Sequence, residues 1–372
     1  CTSAQGPGSA HNTGLRRRGK RGTPGPLNQV KKPRQAASMT TDHDPRPALR
    51  HESGKSLKSK HKHEQTMKPN NVIKASSLLA AVSLGLTGLA AADNHSLPDP
   101  DGKTADMSKP VQVFLIMGQS NTLEFGKVSD ELKTAYPFLA DDAGSWTTRQ
   151  DVRNVSVMVG RKGIYRNEWL TVEGKGKIGI EIGIGHHLGN AIDAPVMVLK
   201  SSIGNRSLGW DLLPPGTARY THEGKEYPGY GETYPSKKDQ SKIVPFKEGE
   251  TLGWYAGKQY DDDVANAKKI LDDLGTYYPG ATEYEVAGII WWQGDKDMRN
   301  AGHAALYEKH LGLLLAALRK DFNAPEAKFV SASLGQTDES DSDSGHGKIL
   351  HAMKNFAASS DDIGFVYSKP LL

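Results

Sequence analysis

The pattern of apolar and polar positions changes character three times along the chain. From Val111 it alternates between strand-like and helix-like segments. VQVFLIM (111–117) is a near-continuous apolar run, the signature of a strand buried on both faces. DVRNVSVMV (151–159) gives a second strand of weaker pattern, and IEIGIGHHLGNAI (180–192) reads as a glycine-interrupted helix leading into a third strand, APVMVLKSS (194–202). Helical periodicity returns over 263–274. EVAGIIWWQG (285–294) is a strand with a polar, glycine-containing exit, 302–319 is an amphipathic helix, and AKFVSASLG (327–335) is a further strand. This alternation predicts an α/β fold: three α/β/α layers with a mostly parallel central sheet. Two stretches break the rhythm. The Pro/Gly/Tyr-rich 211–250 reads as a long surface insertion that lines the site, and TDESDSDSG (337–345) as a solvated acidic loop.

The front of the chain is different. Residues 1–66 carry no periodic apolar face and are rich in Gly, Pro, Ser and basic residues, so they are expected to form a disordered basic extension, upstream or mis-started sequence rather than a folded unit. Residues 67–92 begin Met-Lys, run apolar from Ala75 and end in three alanines, the pattern of a cleaved signal peptide. A short linker (93–110) then leads to one domain over 111–372. That organisation predicts a secreted or periplasmic protein with no stable membrane insertion once the signal is removed.

Charge follows the same division. The 372 residues carry a net +4, but 1–66 hold 14 Lys/Arg against 4 Asp/Glu, so the remainder is net acidic. The overall basicity is therefore no argument for nucleic-acid binding by the folded part. The single cysteine, Cys1, rules out an intrachain disulfide, a four-cysteine zinc site and Cys-x-x-Cys redox chemistry. No phosphate-binding GxxxxGK[ST] motif is present. No cofactor and no metal are expected.

Ligands in doubly wound sheets sit beyond the carboxyl ends of the strands. Three strand exits carry candidate chemistry: Gly118-Gln119-Ser120-Asn121, Lys200 to Asn205, and Gln293 to Asp297. A serine directly after a buried strand exposes its hydroxyl at the sheet edge and its own N–H to a developing oxyanion, or it simply caps the next helix. Gly204 permits close backbone approach. The Gln293 amide reads either as a donor in the same cleft or as an exposed end to a strand whose Trp291 and Trp292 are core.

GQSN after one apolar strand and QGxxD after a later one, together with KIGIEIGIGHHLG, LKSSIGNRSLGWDLLPP and GIIWWQGDKD in the right order, resemble the sialate O-acetylesterases and the carbohydrate esterase family 6 enzymes of the SGNH hydrolase superfamily, over roughly 111–370. The resemblance implies a flavodoxin-like SGNH fold and a serine-dependent carbohydrate O-acetylesterase acting on acetylated sugars such as sialic acid, xylan or another polysaccharide. It implies Ser120 as nucleophile, with the Ser120 N–H, the Gly204–Asn205 loop and the Gln293 side chain stabilising the oxyanion. Asp297 orients its loop or contacts the sugar, and Glu181 matches a recurring acid with a structural role.

The resemblance also implies a histidine base near the end of the domain. FVYSKPLL (365–372) resembles the strand before that block, so the catalytic histidine is expected beyond Leu372, with His346 or His351 as the alternative. His186, His187, His303 and His310 lie in or beside helices and read as structural or solvent-facing. A non-catalytic carbohydrate-binding protein remains the rival reading, with Trp146, Trp169, Trp210 and Trp254 available to stack on sugar rings. A sulfatase fails for want of the cysteine that becomes formylglycine.

Overall fold

A computed structural model describes residues 105–157 and 164–371. The extension 1–66, the signal-like segment 67–92 and most of the 93–110 linker lie outside the described residues.

Seven strands form the central sheet: β1 (Val111–Gly118), β2 (Thr148–Val157), β3 (Ile164–Thr171), β4 (Val196–Ser202), β5 (Tyr284–Trp292), β6 (Lys328–Ala332) and β7 (Ile363–Val366). Their order is β7-β6-β5-β1-β4-β2-β3. Every pairing is parallel except β2–β3, which is antiparallel and puts β3 on one edge. The sheet is mixed but mostly parallel, as the alternation of elements predicts. Relative to a flavodoxin order, β4 is inserted between β2 and β1.

Side chains on alternate positions of β1 feed two cores. Val111, Val113, Leu115 and Met117 face helices α2 (Lys258–Asp272), α3 (Tyr307–Asp321) and α4 (Gly345–Ala357), with Val264, Leu311, Leu314 and Ile349 in the same cluster. Ile116 faces the other way, onto α1 (Glu181–Ala191) and the turn bearing Phe138 and Leu139. Two helical layers thus cover the sheet, three helices on one side and α1 on the other, giving the α/β/α arrangement. Among the described residues no helix is long and apolar enough to cross a membrane.

Several boundaries differ from expectation. The helix anticipated at 263 starts at Lys258, because buried Gln259 and Asp263 disguise its inward face. The helix anticipated over 302–319 is two helices, Ala301–Ala305 and α3, separated at Leu306. The insertion is less superficial than its composition suggests. Leu212, Leu213 and Thr233 are fully buried, Tyr227 nearly so, and two small hairpins pair Tyr220–His222 with Lys225–Tyr227 and Glu232–Thr233 with Val244–Pro245.

Candidate functional site

β1 lies at the middle of the sheet, and the chain reverses direction across it, filling β2 to β4 on one side and β5 to β7 on the other. Such a reversal opens a crevice at the carboxyl ends. Gly118, the last residue of β1, pairs with Ser202 of β4 and Trp292 of β5. Its φ of 152° is one that side-chain-bearing residues rarely adopt, and a Cβ there would meet the Trp292 carbonyl oxygen at 2.4 Å. Only glycine lets the chain leave β1 so close to its neighbour.

The turn that follows is one turn of 3-10 helix, Ser120–Thr122. The Thr122 and Leu123 amides donate to the Gln119 and Ser120 carbonyls. Thr122 Oγ1 bridges the Gln119 carbonyl at 2.6 Å and Ser202 Oγ at 2.7 Å, tying the turn to the end of β4. Ser120 is half-buried, and among the described residues its hydroxyl makes no hydrogen bond. The next loop, 203–206, carries Gly204, which lies beside Leu123, and Asn205 in the left-handed conformation at φ 58°.

Beneath these turns, on the α3 side, lies a fully buried polar network. Gln293 is 0% exposed, and its amide nitrogen faces Gln119 Oε1 (3.3 Å), the Arg206 carbonyl (2.8 Å) and Asp297 Oδ2 (2.5 Å). The Tyr307 hydroxyl lies 2.8 Å from Gln293 Oε1 and 2.9 Å from the Gln293 carbonyl, and accepts from Trp291 Nε1. Asp297, also 0% exposed, accepts from the backbone amides of Leu208 (2.9 Å) and Gly209 (2.8 Å). Burial pushes the Asp297 carboxyl up to about 6, against the lowering effect of these bonds. The amide hydrogens of Gln293 are thus directed at protein acceptors, and Asp297 orients the 207–209 segment from within the protein.

The sequence-nominated residues fall at one edge: Ser120, Gly204 and Asn205 on adjoining turns, with Gln293 and Asp297 under them. Glu181 lies elsewhere, at the start of α1, bonded to Lys200 at 2.8 Å and to the Gly179 amide. Sequence reasoning named Gln119 only as part of the GQSN exit, without a role, and missed Arg206, Asp211 and Tyr307. Tyr307 was not legible, because one tyrosine in an amphipathic helix looks like any core residue. Arg206 pairs with Asp211 at 3.0 Å and lies 4.5 Å over the Trp254 ring, while Trp210 stacks on Tyr234. Trp146 and Trp169 are used differently: Trp169 packs edge-on to Tyr278 and under Arg153, and Trp146 lies beneath Lys133.

None of the described histidines hydrogen-bonds Ser120. His186 stacks on Phe138 and His303 packs against Gly209; burial lowers both to about 3, so both are neutral. His310, lowered by burial to about 4, has neither ring nitrogen bonded, and His351 Nε2 is buried without a partner. His187 packs edge-on to His186. His346 is more accessible: it begins α4, 2.9 Å from the Gln336 amide nitrogen and 3.6 Å from Asp295. Among the described residues no group of three or more His, Cys, Asp or Glu side chains is arranged to hold a metal ion.

Residues 233–371 match the family model described as "Carbohydrate esterase, sialic acid-specific acetylesterase". The match covers less than half of the chain; it contains Gln293 and Asp297 and begins after Ser120. That part of the chain is therefore similar to carbohydrate esterases. No curated protein matches. Among solved structures, an Arabidopsis thaliana protein aligns at 14% identity with a TM-score of 0.43, over 70% of this chain and 87% of its own. A carbohydrate acetylesterase from Xanthomonas citri aligns at 14% identity and TM-score 0.41, over 69% of this chain and 49% of its own. NanS aligns at 14% identity and TM-score 0.42, over 71% and 78%.

Proposed function

We propose that the protein is a serine-dependent carbohydrate O-acetylesterase with Ser120 as nucleophile. One observation carries this reading: an unengaged serine hydroxyl sits on a glycine-enabled turn at the central strand exit, with the β4 and β5 exits bonded around it. In the reaction, Ser120 Oγ attacks the acetyl carbonyl and its proton passes to a general base. The C–O bond to the sugar breaks, the sugar oxygen takes up a proton, and water then hydrolyses the acetyl-serine to acetate.

The backbone amides of Ser120, Gly204 and Asn205 are the candidate oxyanion donors, each worth ~3 kcal/mol in the transition state when aimed at the oxyanion. Gln293 and Asp297 hold the loop that presents them. His346, 3.6 Å from Asp295, is the candidate base; His303 lies equally near Asp297 but is more buried and held neutral. The signal-like segment 67–92 supports an exported protein. The substrate class, an acetylated sugar, rests on the family match.

Acetate release from O-acetylated sialic acid and from acetylated xylan, measured with wild type, Ser120→Ala and His346→Asn, tests the reading. Activity abolished by Ser120→Ala supports it, and the His346→Asn result decides whether that imidazole is the base. Saturable sugar binding without acetate release would instead favour a binding protein, whose rings would be Trp210 and Trp254 at the two ends of the insertion.

A further inference from the structure

On the side of the serine turn opposite Gln293, charged side chains form an unbroken alternating chain. Glu181 of α1 accepts from Lys200 Nζ of β4 at 2.8 Å. Lys200 lies 3.8 Å from Glu124, which follows the serine turn. Glu124 takes a two-pronged bond from Arg166 of β3, with Nε and Nη2 each 2.6 Å from a different carboxylate oxygen. Arg166 is also 3.5 Å from Glu168, and Lys175 closes the chain at 3.0 Å from the same carboxylate. The chain balances three acids against three bases. Its inner members are withdrawn from water, with side-chain exposures of 1% for Glu181, 4% for Lys200 and 9% for Glu124.

Buried ion pairs of this kind add little net stability over an apolar packing of the same volume, because desolvation offsets most of the attraction. What they fix is geometry: a forked arginine–carboxylate pair holds both partners in one relative orientation. The residues held here are specific. Glu124 lies four positions after Ser120, at the far end of a turn whose near end is held by Gln119 and Thr122. Lys200 lies on the strand that delivers Ser202 and Gly204.

We propose that Glu124 is a positioning residue for Ser120: pinned by Arg166 and Lys200, it clamps the far end of the nucleophile turn and locks that turn to the β4 loop that carries the candidate oxyanion amides. The inference rests on the reading of Ser120 as nucleophile, but the clamp itself is testable without turnover.

The experiment is hydrogen–deuterium exchange with mass spectrometry on the full chain, comparing wild type with Glu124→Gln and with the milder Arg166→Lys, which keeps the charge and loses the fork. The expected result is about tenfold faster exchange in peptides spanning 119–126 for Glu124→Gln, a smaller rise for Arg166→Lys, and unchanged exchange in β5 and α3. Unchanged exchange at 119–126 would overturn the proposal, and so would equal loosening of the whole domain or loss of the fold in both variants, since those mark a merely structural role. Where wild type releases acetate, Glu124→Gln is also expected to lower kcat with KM little changed. If wild type releases none, the esterase reading fails and the exchange result still decides the clamp.

Discussion

The serine turn is gripped from both faces of the sheet, and the two grips use opposite physics. On the α3 side, Gln119, Gln293, Asp297 and Tyr307 form a fully buried network whose one carboxylate is held by amide donors with no cation bonded to it. On the α1 side the grip is an alternating series of full charges in which Arg166 and Glu168 are the members open to solvent. The first depends on every donor and acceptor being matched, because an unmatched buried polar group costs about 1–3 kcal/mol. The second tolerates partial loss at Glu168, a third exposed, where water replaces a partner. A rigid interior grip and a graded peripheral one can together hold a turn in a single geometry while keeping its hydroxyl free.

The largest expected effect comes from breaking the interior grip. Asp297→Ala strips the acceptor from the Leu208 and Gly209 amides and from Gln293, and should destabilise the domain by ~3 kcal/mol and abolish acetate release, as read by urea denaturation and activity assay. Asp297→Asn should do nearly as much harm, since its amide nitrogen would face backbone donors. Tyr307→Phe removes only the hydroxyl between Gln293 and Trp291, and should cost about 1–2 kcal/mol by the same measurement.

Acidity separates carboxylates on the two faces of the sheet by sign. Glu124 is pushed up by burial, but the Arg166 bonds and the Lys200 charge outweigh this and hold it below the usual carboxylate range. Its contribution is present above the unfolded value and is lost as pH falls through the depressed folded value. On the opposite face, Asp263 of α2, bonded to Ser201 at 2.6 Å and to Gln259, is raised by burial to about 7. Its contribution is present below the unfolded value of 3.8 and is lost as pH rises through about 7. Melting curves should therefore show Asp263→Asn gaining stability relative to wild type at pH 8 compared with pH 4, and the penalty of Glu124→Gln shrinking as pH falls below 4. The smallest effect is expected at the most exposed carboxylate of the chain: Glu168→Gln should change stability by about 0.5 kcal/mol, because Glu168 is a third exposed to water.

This division also explains what the sequence made legible. β1, β4 and β5 stand out because strands covered on both faces need apolar residues at nearly every position, and the three turns nominated as the site are their exits. β3 escaped notice because IYRNEWLT uses its polar positions for the ion chain, so no alternation survives. Glu124, Arg166 and Lys200 come from three distant segments, and only the antiparallel return of β3 beside β2 and the insertion of β4 between β2 and β1 bring them together. Asp297 was nominated, but its role as an internal acceptor was not readable, because the Leu208 and Gly209 amides that it receives carry no side-chain signal. The same limit applies to the insertion, whose turn-rich composition hid the buried Leu212 and Leu213.

Covalent labelling of the folded protein with a fluorophosphonate, read by intact-mass and peptide mass spectrometry, tests Ser120 as the nucleophile. One adduct per chain is expected, on Ser120, absent from Ser120→Ala and reduced in Asp297→Ala. A folded wild-type protein that takes no label, or takes it on another residue with Ser120 untouched, would contradict that role.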